Sequence, residues 1–373
     1  MKIIHIISSL DKGGAETYLA MLCKYQIEKN KVVVIYLKGN GYWAKKLSKL
    51  GITVIFINFK KVYNISQFIL SFYKIKKIIK NHRPDIVHAH LRLPELILFL
   101  IKLFNKKFKM IITKHLDSFF MEGSGDKSSF FKGIFFDRII FKYADHIIFI
   151  SKYTKSYFLK KIITNKKKVS VIRYGFNDKF YLKSKNYSSR LLNKIKKKNK
   201  EIIICNIARH VKQKSINVLL DSIAFLKTKY DITFKLILVG NGPENKNLRL
   251  YARELKINQY IIWIKYYENV KDIYDLSDFF VLTSNYEGLG LVLLEAMNSS
   301  VPIIANNASS IPEVVKNDVN GYLINKNNPR KFAEKIHDLV SNKKKYNKIK
   351  LKSKKFLFKK FNYKKMCELT DHI

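Results

Sequence analysis

A chain of 373 residues with 47% hydrophobic and 13% aromatic side chains can fill two cores, which argues against wholesale disorder and makes two domains the natural expectation. Its 72 Lys and Arg against 28 Asp and Glu give a formal net charge of +44. Such a balance attracts nucleic acid, anionic membrane or phosphorylated substrate, but the excess is nearly all lysine amid much Ile, Asn, Tyr and Phe, the bias of an AT-rich genome, so charge serves here as support only.

The opening run, KIIHIIS, is short and carries one lysine, so it reads as a first strand and not as a signal peptide. SSLDKGGAETYLAML follows and opens a helix. Gly13 and Gly14 allow a tight turn there and leave amides at the helix start that suit an anion, although a plain strand-to-helix turn needs the same residues. Further strands are expected at KVVVIYL, ITVIFINF, DIVHAH, KMIITKH, DHIIFIS and VSVIRYG. Helical patterns alternate with them, such as Ile65, Phe68, Ile69, Phe72, Ile75 and Ile79 at three-to-four spacing. Short β-branched runs between amphipathic stretches are the pattern of βα units around a buried parallel sheet.

Several features of this half invite other readings. His88 and His90 project to the same side of one strand, but further ligands at zinc spacing are missing, so they are expected to line a cleft as strand-end histidines. The segment FFKGIFFDRIIFKYADHIIFI, with Lys132, Arg138 and Lys142, and the segment 65–80, with Lys74, Lys76, Lys77 and Lys80, could press against a membrane; core packing is favoured for both. No run reaches the roughly 18 uncharged apolar residues that span a bilayer. Cys23, Cys205 and Cys367 stand far apart, which fits a reducing compartment and argues against a disulfide framework or a cysteine-rich metal site. The expected location is cytoplasmic, at most at the inner face of the cell membrane.

The lysine-rich stretch near 183–200 breaks the rhythm, giving a first domain over 1–180, a linker over 181–200 and a second domain over 201–345. A helical segment over 346–373 is expected, able to pack back on the first domain. In the second half EIIICNIAR, FKLILVGNG, YIIWIKY, DFFVLTS, VPIIANN and GYLIN restart the alternation. The fold class is therefore α/β with two doubly wound, Rossmann-like halves, each binding ligand at the carboxyl ends of its strands, with the cleft between them as the default site.

Three loops of the second half carry chemistry. In ARHVKQKS, Arg209 and Lys214 lie between a strand and a helix, where two cations could clamp a diphosphate. Gly240 in LVGNGPE has a supporting role in shaping the cleft. In YEGLGLVLLEAM, Glu287 stands in a loop and Glu295 in the second turn of a helix beginning near Gly290, so the two carboxylates can reach different parts of one extended ligand and accept paired hydrogen bonds from vicinal hydroxyls. A buried acid implies a partner, and a structural salt bridge is the alternative use of either.

With these segments in order (GGAE, PDIVHAH, TKHLD, ISKYTKSYF, VIRYGFND, then ARHVKQKS, LVGNGPE, SNYEGLGLVLLEAM, VPIIANN, IPEVV and NGYLI) the chain resembles the retaining nucleotide-sugar glycosyltransferases of the GT-B fold, of the family-four type. The resemblance implies two domains facing each other across a cleft, and sugar transfer with retention from a nucleotide-sugar donor, UDP-linked by expectation, to a glycan or lipid-linked acceptor in surface-polysaccharide assembly. It also implies a hexosyltransferase that uses no metal or other cofactor. The lysines spread through both halves and the lack of a zinc-finger, RRM or KH pattern argue against nucleic acid as a partner, while the charge and the two lysine-bearing apolar segments make an anionic membrane surface a further expected contact. Arg209 and Lys214 would hold the donor diphosphate, Glu295 the ribose and Glu287 the sugar. Gly13 and Gly14 would cover the diphosphate, and His115 would be the first-domain histidine that touches the donor sugar. Gly240, Gly288, Leu289, Gly290 and Leu291 complete the expected donor site. Serine replaces the usual glycine at Ser215, Ser300, Ser309 and Ser310, which bears on donor choice because serine restricts φ. The rival readings are a polyanion-binding protein on an inactive GT-B scaffold, a sugar phosphorylase and a nucleotide-sugar epimerase.

Overall fold

Runs of Ile and Val that are apolar on both faces belong in the middle of a parallel sheet, covered by helices on either side. In the computed structural model, Ile3, Ile4, Ile6 and Ile7 of the first strand are all buried, as is every residue of Ile202–Ile207. The structure describes residues 1–59, 65–115, 127–162, 168–180, 195, 201–230, 232–325 and 328–373, with only the backbone described for 127–133 and 179.

Each of the thirteen expected runs contains a strand. In the first half these are β1 (Lys2–Ser9), β2 (Lys31–Lys38), β3 (Thr53–Phe56), β4 (Ile86–His90), β5 (Lys109–Lys114), β6 (His146–Phe149) and β7 (Val169–Val171). They form one parallel sheet in the order β3-β2-β1-β4-β5-β6-β7. The second half gives β8 (Ile202–Ile207), β9 (Phe234–Val239), β10 (Ile261–Ile264), β11 (Phe279–Leu282), β12 (Ile303–Asn306) and β13 (Gly321–Ile324). Their order, also parallel, is β10-β9-β8-β11-β12-β13. Both are doubly wound, Rossmann-like sheets. In each, the strand order reverses beside the first strand, and a crevice opens at the carboxyl ends there. That rule singles out the ends of β1 and β4 in one sheet and of β8 and β11 in the other.

The chain divides into two compact units, Met1–Gly175 with Tyr363–Ile373, and Phe176–Asn362. The lysine-rich helix Lys343–Lys360 stays with the second unit, where Ile349 and Leu357 are buried. After Phe361 and Asn362 the last helix, Tyr363–Asp371, joins the first unit and packs on the helix Gly14–Gln26, with Gln26 Nε2 donating to Asp371 Oδ1 at 2.7 Å. The expected segment 346–373 is thus divided between the units. The expected linker 181–200 lies outside the described residues except for Ile195. Among the described residues, no helix is long and apolar enough to cross a membrane.

Candidate active site

The loop leaving β8 runs from Ala208 through a short 3-10 turn, Lys212–Lys214, into the helix Ile216–Lys229. Neighbouring loops fix it on two sides. Towards β9, His210 N donates to Asn241 O at 2.9 Å and Glu244 N donates to His210 O at 3.0 Å. Gly240 is required there: its φ is +148° and a Cβ would fall 1.8 Å from Ala208 O. Towards β11, Gln213 Nε2 donates to Tyr286 O at 2.7 Å, Asn285 N to Gln213 O at 2.8 Å, and Thr283 Oγ1 to Lys214 O at 3.0 Å. This knitting brings Lys214 Nζ within 2.7 Å of Glu287 Oε1, with side chains only 13% and 8% exposed. Arg209, in the same loop, is exposed.

Glu287 is held by its backbone as well as by its carboxylate. Its N–H donates to Ser309 Oγ at 2.7 Å, and its carbonyl accepts from Ser310 Oγ at 2.7 Å and Ser309 Oγ at 3.1 Å. Ser309 and Ser310 are therefore the clamp on this loop. Ser215, Ser300 and Ser309 keep the left-handed backbone that glycine adopts easily, at φ of +45°, +54° and +46°. Gly290, φ +87°, starts the helix Leu291–Asn298. Leu289 and Leu291 turn inward and are buried, and Gly288 is buried between Glu287 and Leu289. Glu295 is half-buried on that helix, with the Tyr274 hydroxyl 3.2 Å from its Oε2. The structure thus gives both acids partners: Lys214 pairs with Glu287, and the Tyr274 hydroxyl is among the partners of Glu295.

In the first unit, Gly13 caps the helix Gly14–Gln26 with extended backbone. Glu16 Oε2 lies 2.3 Å from where a side chain on Gly13 would begin, and Glu16 Oε1 accepts from Ser9 Oγ at 2.7 Å, so this helix start carries an acid of its own. His115, at the end of β5, is buried, with Nδ1 2.7 Å from the Tyr174 hydroxyl and Nε2 3.1 Å from His90 Nδ1. Burial, and then the neighbouring charge of Lys114, pushes its pKa down to about 3. Lys114 sits in a buried ion cluster, 2.5 Å from Glu95 and 2.9 Å from Asp137, which also pairs with Arg92. Asp137, from the segment FFKGIFFDRIIFKYADHIIFI, is thereby a buried partner, whereas the side chain of Lys132 lies outside the described residues.

His88 and His90 depart from expectation. They do not line a cleft: both are buried, at 2% and 0% exposure. A third histidine, His5 of β1, joins them, and ligand atoms of the three lie within 4.8 Å of one another. Hydrogen bonds already occupy them: His5 Nδ1 to His90 Nε2 at 3.2 Å, His5 Nε2 to Gln26 Oε1 at 2.7 Å, and His88 Nε2 to Thr113 Oγ1 at 2.7 Å. Sequence reasoning missed His5, although a lone polar residue amid KIIHIIS was a signal, since a buried polar group must find a partner.

Residues 12–180 match the family described as Glycosyltransferase Family 4, and residues 188–356 match Glycosyl transferases group 1. The chain is a GT-B glycosyltransferase of the family-four type. An uncharacterised glycosyltransferase of Methanocaldococcus jannaschii is 28% identical over 312 residues, covering 82% of this chain and 79% of that one. The capsular polysaccharide biosynthesis glycosyltransferase CapH of Staphylococcus aureus is 25% identical over 351 residues, covering 92% of each. Among solved structures, HepE of Anabaena in complex with UDP-glucose superposes with a TM-score of 0.84 at 19% identity, covering 100% of this chain and 98% of that one, a likeness of fold.

In this glycosyltransferase, then, the second unit gathers Arg209, Lys214, Gly240, Glu287, Gly288, Leu289, Gly290, Leu291 and Glu295 on loops and a helix start at the carboxyl edge of β8, β9 and β11. The first unit holds Gly13, Gly14 and His115 at the corresponding edge of β1 and β5. Gln213, Ser309 and Ser310, which fix the Glu287 loop, were not identifiable in advance as contributors to its geometry.

Proposed function

We propose that this glycosyltransferase moves a sugar from a UDP-linked donor to a hydroxyl of a glycan or lipid-linked acceptor, with retention, in surface-polysaccharide assembly. The observation that carries this reading is the Lys214–Glu287 pair at the β8/β11 reversal, with Arg209 on the same loop. A cation held in place before any ligand arrives costs little reorganisation when negative charge develops beside it. As the acceptor oxygen bonds to the anomeric carbon, the bond from that carbon to the phosphate oxygen breaks and its electron pair leaves with the diphosphate. Arg209 and Lys214 offset that charge, and the acceptor proton passes to a donor phosphate oxygen. Glu287 faces the sugar and Glu295 takes the ribose hydroxyls. Backbone at Gly240 and from Gly288 to Leu291 borders the donor, and His115, Gly13 and Gly14 keep the roles the resemblance gives them. UDP is favoured because the Anabaena relative was solved with UDP-glucose, and the setting because CapH serves capsular polysaccharide.

Thermal unfolding with UDP, GDP, ADP and UDP-glucose tests this, since a ligand that binds only the native state raises apparent stability. UDP is expected to raise the midpoint in the wild type and not in Arg209→Ala or Glu295→Ala, and turnover is expected to survive EDTA. No shift with any nucleotide, in folded protein, would turn the case to the polyanion-binding reading.

A peripheral membrane contact belongs to the same proposal. The helix Ile65–His82 buries Ile75 and Ile79 but leaves Ile65, Ile69, Leu70 and Tyr73 exposed at 77%, 47%, 53% and 61%, beside exposed Lys74, Lys76 and Lys77. Apolar side chains amid lysines suit an anionic bilayer surface. Co-sedimentation with phosphatidylglycerol vesicles at low salt, lost in Leu70→Glu, is the expected result; equal recovery without vesicles would end this part.

A further inference from the structure

Five hydrogen bonds join Tyr174, through His115, to the last helix of the chain, all within the first unit. They run from the Tyr174 hydroxyl to His115 Nδ1 (2.7 Å), His115 Nε2 to His90 Nδ1 (3.1 Å), His90 Nε2 to His5 Nδ1 (3.2 Å), His5 Nε2 to Gln26 Oε1 (2.7 Å) and Gln26 Nε2 to Asp371 Oδ1 (2.7 Å). Tyr18, fully buried, packs its ring 6.0 Å from that of His90 and 5.4 Å from that of His115. His5, His90 and His115 are buried at 0%, 0% and 5% exposure. Burial holds all three far below the ordinary histidine range, so each ring is neutral and carries a single N–H.

One acceptor-only group fixes the direction of the whole series. Burial raises the Asp371 pKa above its ordinary value and the Gln26 hydrogen bond opposes that shift. In its ionised form the carboxylate can only accept, so the Gln26 atom facing it is the amide NH2 and the carbonyl oxygen faces His5. That oxygen can only accept, so His5 carries its proton on Nε2 and offers Nδ1 as an acceptor. His90 must then donate from Nε2 and accept at Nδ1, and His115 likewise, leaving His115 Nδ1 to accept from the Tyr174 hydroxyl. Each assignment satisfies both nitrogens of each ring. The opposite direction would set two acceptors against each other at Asp371.

We propose that Asp371 and Gln26 are positioning residues for His115: through His5 and His90 they hold its ring as the Nε2–H tautomer, with Nδ1 as the accepting atom. Resting on the reading of His115 as the residue that meets the donor sugar, a sugar hydroxyl that takes the place of the Tyr174 hydroxyl must donate to Nδ1. A donor with fluorine in place of that hydroxyl is then a poor substrate. The residues concerned lie far apart in the chain, and the C-terminal helix becomes part of the site's hydrogen bonding although it touches none of the reacting atoms.

Long-range 1H–15N spectra of full-length protein labelled at histidine read protonation at each ring nitrogen directly. The expected result at pH 7 is protonated Nε2 and bare Nδ1 in His5, His90 and His115; a proton on Nδ1 of any of the three, or an imidazolium, overturns the proposal. Asp371→Asn, whose amide can donate as well as accept, should give His5 a mixture of tautomers and lower kcat/KM for UDP-sugar turnover, while Asp371→Glu restores both. Unchanged spectra in folded Asp371→Asn would also overturn it. Because the wild-type spectrum is read without turnover, a protein that shows the three Nε2–H tautomers but transfers no sugar would refute the proposed function and leave the relay standing.

Discussion

Ser300 and Ser309 occupy the same disfavoured backbone region, φ +54° and +46°, but only one of them is known to use its hydroxyl at the candidate site. A left-handed conformation costs a non-glycine residue about 1 kcal/mol. Ser300→Gly is therefore expected to raise the unfolding free energy by about 1 kcal/mol, measured by urea denaturation. Ser309→Gly gains the same relief and loses the bonds to the Glu287 N–H and carbonyl, so its net stabilisation should be smaller or reversed, and UDP affinity should fall. Equal stabilisation in both variants would show that the Ser309 hydroxyl does not hold Glu287. At this scale the sequence displayed the serines as departures. It could not display what Ser309 touches, because its partner Glu287 lies 22 residues away in the chain, on the loop that follows another strand.

Elements set how tightly the loops meet. Adjacent parallel strands deliver their loops side by side, so the loops after β8, β9 and β11 must share one rim, and at Gly240 the loop after β9 leaves no room for a side chain against Ala208 of the loop after β8. Gly240→Ala combines a strained φ with a clash against Ala208 O, and is expected to cost at least about 2 kcal/mol and to abolish UDP binding. Gly51 supplies the control: its φ is +82° but nothing lies within 4 Å of a new Cβ, so Gly51→Ala should cost only about 1 kcal/mol. Comparable losses from the two, in the same urea titration, would mean that the Gly240 contact is soft. The strands themselves were legible because parallel strands favour short β-branched, apolar-rich runs, and thirteen such runs alternate with amphipathic stretches. The turn from Phe361 to Tyr363, where the chain passes from one unit to the other, was not legible: lysine-rich helix precedes and follows it, and periodicity does not say which core a helix serves.

For the whole molecule, the buried histidines couple stability to pH. His5 has its pKa lowered by burial from 6.5 to about 4, and His115 from 6.5 to about 3, while His88 and His90 are lowered as well. Below pH 6.5 the unfolded chain takes up protons that the folded chain refuses, so their contribution is complete above 6.5 and is lost as pH falls towards 4 and then 3. Unfolding free energy should decline over that window. His5→Gln should reduce the slope between pH 6 and 4 by up to about 1.4 kcal/mol per pH unit. A slope unchanged by the substitution would mean that His5 titrates normally in the fold.

Patterns local to the chain are what the sequence by itself determined: two successive βα series, glycines where loops turn, cations and acids on loops at strand ends, and an order of motifs that resembles one family. The strand and helix series and the turns follow from periodicity and backbone sterics, which act over a few residues, and the resemblance rests on the motifs themselves. Only the tertiary structure decided which strand lies beside which, and so which side chains meet. The β8/β11 neighbourhood pairs Lys214 with Glu287 across 73 residues, and the β1/β4/β5 neighbourhood aligns His5, His90 and His115. The C-terminal helix brings Asp371 to Gln26, 345 residues away. The reason is physical: hydrogen bonds and ion pairs act over about 3 Å in space, and the chain carries no local record of a contact that its distant segments make only once both sheets have formed.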